Sequence, residues 1–210
     1  VAGLGALDGL VIATESPEIA EVVSSAGFRA ILTSDSHQTG TERVAEVAAR
    51  AEFSGFDLIV NVQGDEPFVP REAVTGAIAR VRGGDDVGSA AAPLSAQDAG
   101  DPARVKVVCD AAGRALYFSR AAIPHVRDPA DRPAASFWQH LGVYAYRRAA
   151  LMRWVALPPT ALELAERLVK ELAGDKFKPE QYSDEYRGRV LVAVEEKVEG
   201  KEVTTLAPQA

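Results

Sequence analysis

An apolar, β-branched run that stops at a glycine and two acids, Leu58-Ile59-Val60-Asn61-Val62-Gln63-Gly64-Asp65-Glu66-Pro67, constrains the fold more than any other stretch. It predicts a buried strand whose carboxyl end opens onto a turn. In an open α/β sheet, ligands bind in the crevice outside such strand ends, where a carboxylate can hold Mg²⁺ against nucleotide phosphates. Asp65 is therefore the candidate metal ligand. On spacing alone, the same residues also describe a strand followed by an ordinary polar turn.

The segments around this strand alternate regularly. Leu10-Val11-Ile12-Ala13 reads as a strand, Ile19, Val22 and Val23 as the apolar side of a helix after Pro17, and Ala30-Ile31-Leu32 as a second strand. Val44, Val47 and Ala48 give the next helix its apolar side, and Arg71 to Val81 continues the pattern up to Gly83-Gly84. Strand, helix, strand, helix, strand means βαβ units, a mostly parallel sheet and helices on both faces, an α/β fold of the Rossmann-like kind. Val87 to Pro93, Val105 to Cys109, Ala115 to Phe118 and Leu141 to Tyr146 are strand-like runs without comparable helices between them. The Asp-, Pro- and Arg-rich segment from Arg127 to Pro133 reads as an exposed loop over a site or at a subunit contact, which leaves a homodimer open.

Composition narrows the function class. The chain has 210 residues, 47% hydrophobic and 25% charged, with a formal net charge of -7, enough to bury a substantial core. The acidic balance argues against sequence-independent nucleic-acid binding by the whole surface. Cys109, the single cysteine, excludes an intrachain disulfide and a multi-cysteine zinc site, and its apolar strand predicts a buried structural thiol. No apolar run has membrane-spanning length and no signal-peptide pattern is present, so a cytoplasmic protein is expected, with no membrane partner. The chain opens at Val1 in a Gly/Ala-rich segment that leads straight into a strand, as a fragment would.

Beyond Pro158-Pro159 the composition becomes richer in charge. Helical periodicity at Leu162, Ala165, Leu168 and Leu172, a break at Gly174 and a second amphipathic stretch through Tyr182, Tyr186, Val190, Val194 and Val198 predict a helical tail over 160–210 behind a domain of 1–159.

Five segments taken together carry a family resemblance: the central strand above, Thr33-Ser34-Asp35-Ser36-His37-Gln38-Thr39-Gly40-Thr41-Glu42-Arg43, Val105-Lys106-Val107-Val108, Ala115-Leu116-Tyr117-Phe118-Ser119-Arg120-Ala121 and His140-Leu141-Gly142-Val143-Tyr144-Ala145-Tyr146-Arg147. In this order they resemble the CMP-KDO synthetases, the 3-deoxy-manno-octulosonate cytidylyltransferases of lipopolysaccharide synthesis. The resemblance runs from about Leu10 to Pro159. It implies a nucleotidyltransferase-like fold and transfer of CMP from CTP to the acidic sugar KDO, with release of pyrophosphate and Mg²⁺ as the required ion.

By this resemblance Asp65 holds Mg²⁺, and Gln63 and Gly64 shape the turn so that the nucleotide approaches the backbone. His37, Gln38, Gly40, Thr41 and Arg43 correspond to the loop beside cytosine and ribose, although Thr39 or Thr41 would also serve as a plain helix cap. Arg120 and His140 correspond to positions that contact the acidic sugar, and an arginine fork suits its carboxylate. Tyr117, Ser119 and Tyr144 could supply hydroxyl contacts, or simply pack. Glu163 matches a glutamate of the family's helix.

The chain departs from that pattern in three places. The family's opening Gly/Arg/Lys-rich triphosphate loop is not in this sequence, Glu15 stands where the family has aspartate, and no late metal-binding aspartate is found. Glu166-Arg167-Leu168-Val169, Lys178-Pro179-Glu180-Gln181-Tyr182, Asp184-Glu185-Tyr186-Arg187 and Glu196 to Val203 instead resemble the C-terminal region of bacterial Ku. Two rival readings follow: an inactive nucleotide-sugar-binding remnant, and a Ku-type DNA-repair interaction module.

Overall fold

The computed structural model describes residues 7–64, 66, 68–128, 130–131, 136–158 and 190–195, the last six by their backbone. In chain order the elements are β1 (Gly9–Thr14), α1 (Pro17–Ser25), β2 (Ala30–Leu32), α2 (Gly40–Ala49), β3 (Leu58–Gln63), α3 (Arg71–Arg82), β4 (Val87–Leu94), β5 (Lys106–Cys109), β6 (Ala115–Ser119), β7 (Phe137–Arg147), α4 (Arg148–Val155) and β8 (Val190–Glu195). The strands form one sheet in the order β2-β1-β8-β3-β7-β5-β6, with β4 also paired to β7.

Helix starts follow from local chemistry. The Ser16 hydroxyl accepts from the Ile19 amide at 3.3 Å, and Pro17 opens α1 where a missing N–H does no harm. Thr39 and Glu42 close a capping box at α2: the Thr39 hydroxyl accepts from the Glu42 amide, and the Glu42 carboxylate accepts from the Thr39 amide.

The alternating side chains of β3 divide the core in two. Leu58, Val60 and Val62 face α3, whose Val74, Ala77, Ile78 and Val81 close one layer with Val143 and Ala145 of β7. Ile59 joins the other layer, built from Val11, Ala13 and Ile31, the α2 residues Val44, Ala45, Val47 and Ala48, and Leu151 and Trp154 of α4. Helices therefore cover both faces, as the alternation predicts. Every one of the Leu58–Val62 side chains is buried, which is why the run reads as continuously apolar.

The sheet is parallel in one half only. The pairs β1–β2, β1–β8 and β3–β8 are parallel, whereas β3–β7, β4–β7, β5–β6 and β5–β7 are antiparallel. The antiparallel half comprises the runs that had no helices between them; a parallel neighbour needs a long crossover and a hairpin does not.

Three expectations are corrected. Residues 190–195 are not helical: they form β8, inserted between β1 and β3, with Val192 opposite both Leu10 and Val60. Five consecutive apolar residues, Val190 to Val194, suit a strand buried on both faces better than an amphipathic helix. The rest of 160–210 lies outside the described residues. Cys109 is exposed rather than buried: it is the last residue of β5, paired with Ala115 beyond a register shift between Val108 and Cys109. Arg148–Val155, not anticipated as a helix, packs Ala150, Leu151 and Trp154 inward.

Candidate functional site

Sheet polarity brings the motif residues to one edge. The parallel strands β1, β2, β3 and β8 end there, and β7, antiparallel to β3, begins there. The ladder pairs Val62 with Val143, and beyond it Gln63 lies over Gly142, so closely that a Cβ built on Gly142 would stand 3.1 Å from the Gln63 Cβ and nearer still to its amide oxygen. Glycine is needed at 142 for that approach. The Gly142 amide also donates to the Glu66 carboxylate at 3.1 Å, and the Glu66 amide to the Gln63 carbonyl at 3.0 Å, so the turn after β3 is fastened to β7. Gly64 is exposed in that turn. Asp65, like Glu163, lies outside the described residues.

The loop from β2 into α2 is held by ions. Arg43 is buried, donating to the Thr33 hydroxyl at 2.6 Å and the Ser34 carbonyl at 3.2 Å, and it pairs with Glu15 at 2.6 Å. Glu15 thus ties the end of β1 to α2, and the Arg43 guanidinium acts inside the fold, holding the loop. His37 Nε2 meets the Glu46 carboxylate at 2.7 Å, which also accepts from the Ser34 amide at 2.8 Å and pairs with Arg50 at 3.0 Å. Burial raises the Glu46 pKa, but these hydrogen bonds and the His37 charge outweigh it and bring the carboxyl down to about 2. Gln38 donates from its side chain to the Ser36 carbonyl at 3.0 Å and from its backbone to Glu42 at 2.8 Å. Gly40 opens α2 and Thr41 is buried in its first turn.

The third group sits on β5, β6 and β7. His140 Nε2 is 2.9 Å from the Ser89 hydroxyl, which donates to the Val143 carbonyl at 2.8 Å. The imidazole lies against Phe118 and Tyr144, each with ring centroids at 5.1 Å. Burial lowers its pKa to about 4, so His140 is neutral near pH 7 and contributes hydrogen bonding rather than charge. Tyr144 is buried, with its ring between those of His140 and Tyr146. Ser119 is buried and its hydroxyl accepts from the Ala121 amide at 3.0 Å, whereas Tyr117 is half-buried on β6. The Arg120 guanidinium donates to the Pro102 carbonyl at 2.8 Å.

Several contributors were not singled out from sequence: Ser89, Glu46, Glu66 and Lys106. Two of them left a trace: Lys106 as a lysine inside an apolar strand, and Glu66 as the second acid after the central strand. Among the described residues, no group of three or more His, Cys, Asp and Glu side chains is gathered as a metal site. The Glu66 carboxylate is already engaged by Gly142. The described donors do not fit a magnesium ion by themselves.

A half-parallel α/β sheet, flanked by helices and carrying a strand-end turn, a capped loop and an Arg/His pair at one edge, defines a nucleotidyltransferase-like fold. The solved structure of CMP:2-keto-3-deoxy-manno-octonic acid synthetase complexed with CTP has this fold: the TM-score is 0.71 at 34% identity, over 80% of this chain and 68% of that one. A family model described as Cytidylyltransferase matches residues 2–195, and the chain belongs to that family. The 3-deoxy-manno-octulosonate cytidylyltransferase of Gemmatimonas aurantiaca is 52% identical over 171 residues, 80% of this chain and 66% of that protein. The enzyme of the same name from Legionella pneumophila (strain Paris) is 44% identical over 159 residues, 75% of this chain and 63% of that protein. The chain spans just under two thirds of the length of these relatives. The family match runs through β8, so much of the segment that resembles Ku falls within the cytidylyltransferase match. Among the described residues no helix is long and apolar enough to cross a membrane.

Proposed function

We propose that this chain carries the catalytic fold of a cytidylyltransferase that transfers CMP from CTP to the anomeric hydroxyl of KDO. The hydroxyl oxygen attacks the α-phosphorus and gives up its proton to solvent, the bond to the bridging oxygen breaks, and pyrophosphate leaves with that electron pair. What supports the reading is a fold shared with a structure that holds CTP, with the Gln63–Gly142 approach at the carboxyl end of the central strand and the fastened loop 33–43 and Arg120 and His140 on strands to either side of it.

The residues divide the work by position. Gln63 and Gly64 offer a turn where the nucleotide comes close to the backbone. The His37 to Thr41 loop, set by the Glu46 and Arg43 ion pairs, faces base and ribose. Arg120 takes the sugar carboxylate through its planar fork, and neutral His140 donates or accepts beside it. Rate enhancement would come from orientation, which requires rigid supports, and the buried pairs supply them. In this proposal Mg²⁺ would be held through Asp65, where it would neutralise triphosphate charge.

The test is release of pyrophosphate from CTP, with and without KDO, by the full chain and by Arg120→Lys. KDO-dependent release in the parent chain, with the variant weakened toward KDO but not CTP, supports the reading. Binding of CTP and KDO without release would favour the binding-only alternative, and equal weakening of both ligands would remove Arg120 from the sugar.

A further inference from the structure

Lys106 lies on β5 with its side chain fully buried, and three backbone carbonyls gather on its ammonium: Asp101 at 2.8 Å, Arg104 at 2.6 Å and Arg120 at 2.6 Å. A buried charge is costly unless surrounded in this way, so a lysine here marks a junction that the fold cannot make with an apolar residue. Two of the carbonyls belong to the loop before β5 and the third to the residue that follows β6. The same loop holds the Arg120 side chain, whose Nη1 donates to the Pro102 carbonyl at 2.8 Å. Register adds a further constraint: Lys106 sits opposite Ser119 on β6 and opposite Gln139 on β7, and the His140 amide donates to the Val105 carbonyl at 2.8 Å. Backbone and guanidinium of Arg120 are therefore both referred to a single ammonium, and His140 is attached one residue away.

We propose that Lys106 is a positioning residue for Arg120, fixing where its fork presents itself to an anionic sugar. The identity of that ligand rests on the function proposed above; the positioning itself does not. Without the ammonium, the three carbonyls lose a common donor; Arg104 still holds the loop to Gln139 at 2.7 Å, but the 101–102 turn with its Pro102 acceptor loses its tie to the Arg120 backbone. Arg120 keeps its charge and loses its aim.

The experiment uses the full chain with ¹⁵N-labelled arginine, in parent form, as Lys106→Met, and as Val74→Ala, a destabilising change in the core layer behind the sheet. The Arg120 side-chain resonance is identified by its loss in Arg120→Lys. Lys106→Met is expected to move that resonance to the averaged position of solvent-exposed arginines, while Val74→Ala leaves it in place. An unmoved resonance in folded Lys106→Met overturns the proposal. Should that variant not fold, Pro102→Gly, which loosens the loop and keeps the lysine, is expected to move the same resonance, and an unmoved one overturns the proposal equally. Titrations of CTP and KDO then read the consequence: KDO affinity falls about tenfold or more, as for loss of a charge-assisted contact, with CTP affinity nearly unchanged. Equal loss of both ligands reduces Lys106 to a stabilising role and overturns the assignment. If the parent chain binds CTP but no KDO, the substrate reading fails, while the resonance still decides the place of Lys106.

Discussion

Ending the chain after Pro159 would take out a strand from the middle of the sheet. β8 pairs with five residues of β1 on one side and six of β3 on the other. At about 1 kcal/mol net for each backbone hydrogen bond, the two ladders are worth on the order of 10 kcal/mol before any side-chain burial is counted. That equals the whole stability of an ordinary domain, roughly 5–15 kcal/mol. The 1–159 fragment is therefore expected to lose cooperative unfolding, or to melt far below the full chain, rather than persist as a separate domain. Val192→Pro in the full chain tests the same point without deletion, since proline removes a ladder donor opposite Leu10 and Val60. The assay is thermal and urea unfolding followed by circular dichroism. A 1–159 fragment that unfolds cooperatively within a few degrees of the full chain would refute the reasoning, restore the boundary at 159, and leave the tail as an appendage.

Other perturbations separate site from scaffold. Gly142→Ala is expected to displace the Gln63 amide with little loss of stability, since the nearest obstacle is a flexible side chain, and to weaken substrate binding; unchanged kinetics would remove Gln63 from the site. Gly88→Ala meets α3 backbone instead, with Ala77 C 2.9 Å from the new methyl, so about 1–3 kcal/mol of stability should go, measured by urea unfolding. His140 is held neutral with its pKa near 4, below its unfolded value of 6.5, so stability is full above pH 6.5 and falls as pH drops toward 4, by up to roughly 3 kcal/mol; His140→Gln should flatten that slope. Asp65→Asn should abolish Mg²⁺-dependent CTP binding measured by calorimetry, and retained binding would end its candidacy as a ligand.

Much of the fold was legible because burial writes itself into hydrophobic period. Leu58 to Val62 announced a central strand, Pro17 and the choice of Thr39 or Thr41 as a cap announced helix starts, and the later strand-like runs lacked helices between them, as the antiparallel half does. Residues 190–195 misled for a physical reason: valines four apart satisfy a helical period, and only the unbroken apolar run between them points to a strand. The site was legible as positions but not as roles. Arg43 could be named from its motif, but its contacts with Glu15, Thr33 and Ser34 could not, since two separate segments supply them. His140 could be named from its motif, but its neutrality depends on burial beside Phe118 and Tyr144, residues brought to it by strand pairing.

The position of β8 also sets an order of events during synthesis. β1 and β3 leave the ribosome long before residues 190–195, and until then each presents an unpaired edge to solvent or to a neighbouring nascent chain. Open edges of apolar strands are templates for mispairing, and pairings distant in sequence form slowly. Translation at about 5–20 residues per second leaves those edges open for roughly ten seconds or more, which makes yield sensitive to temperature and chaperone supply in a way that the finished, closed sheet is not.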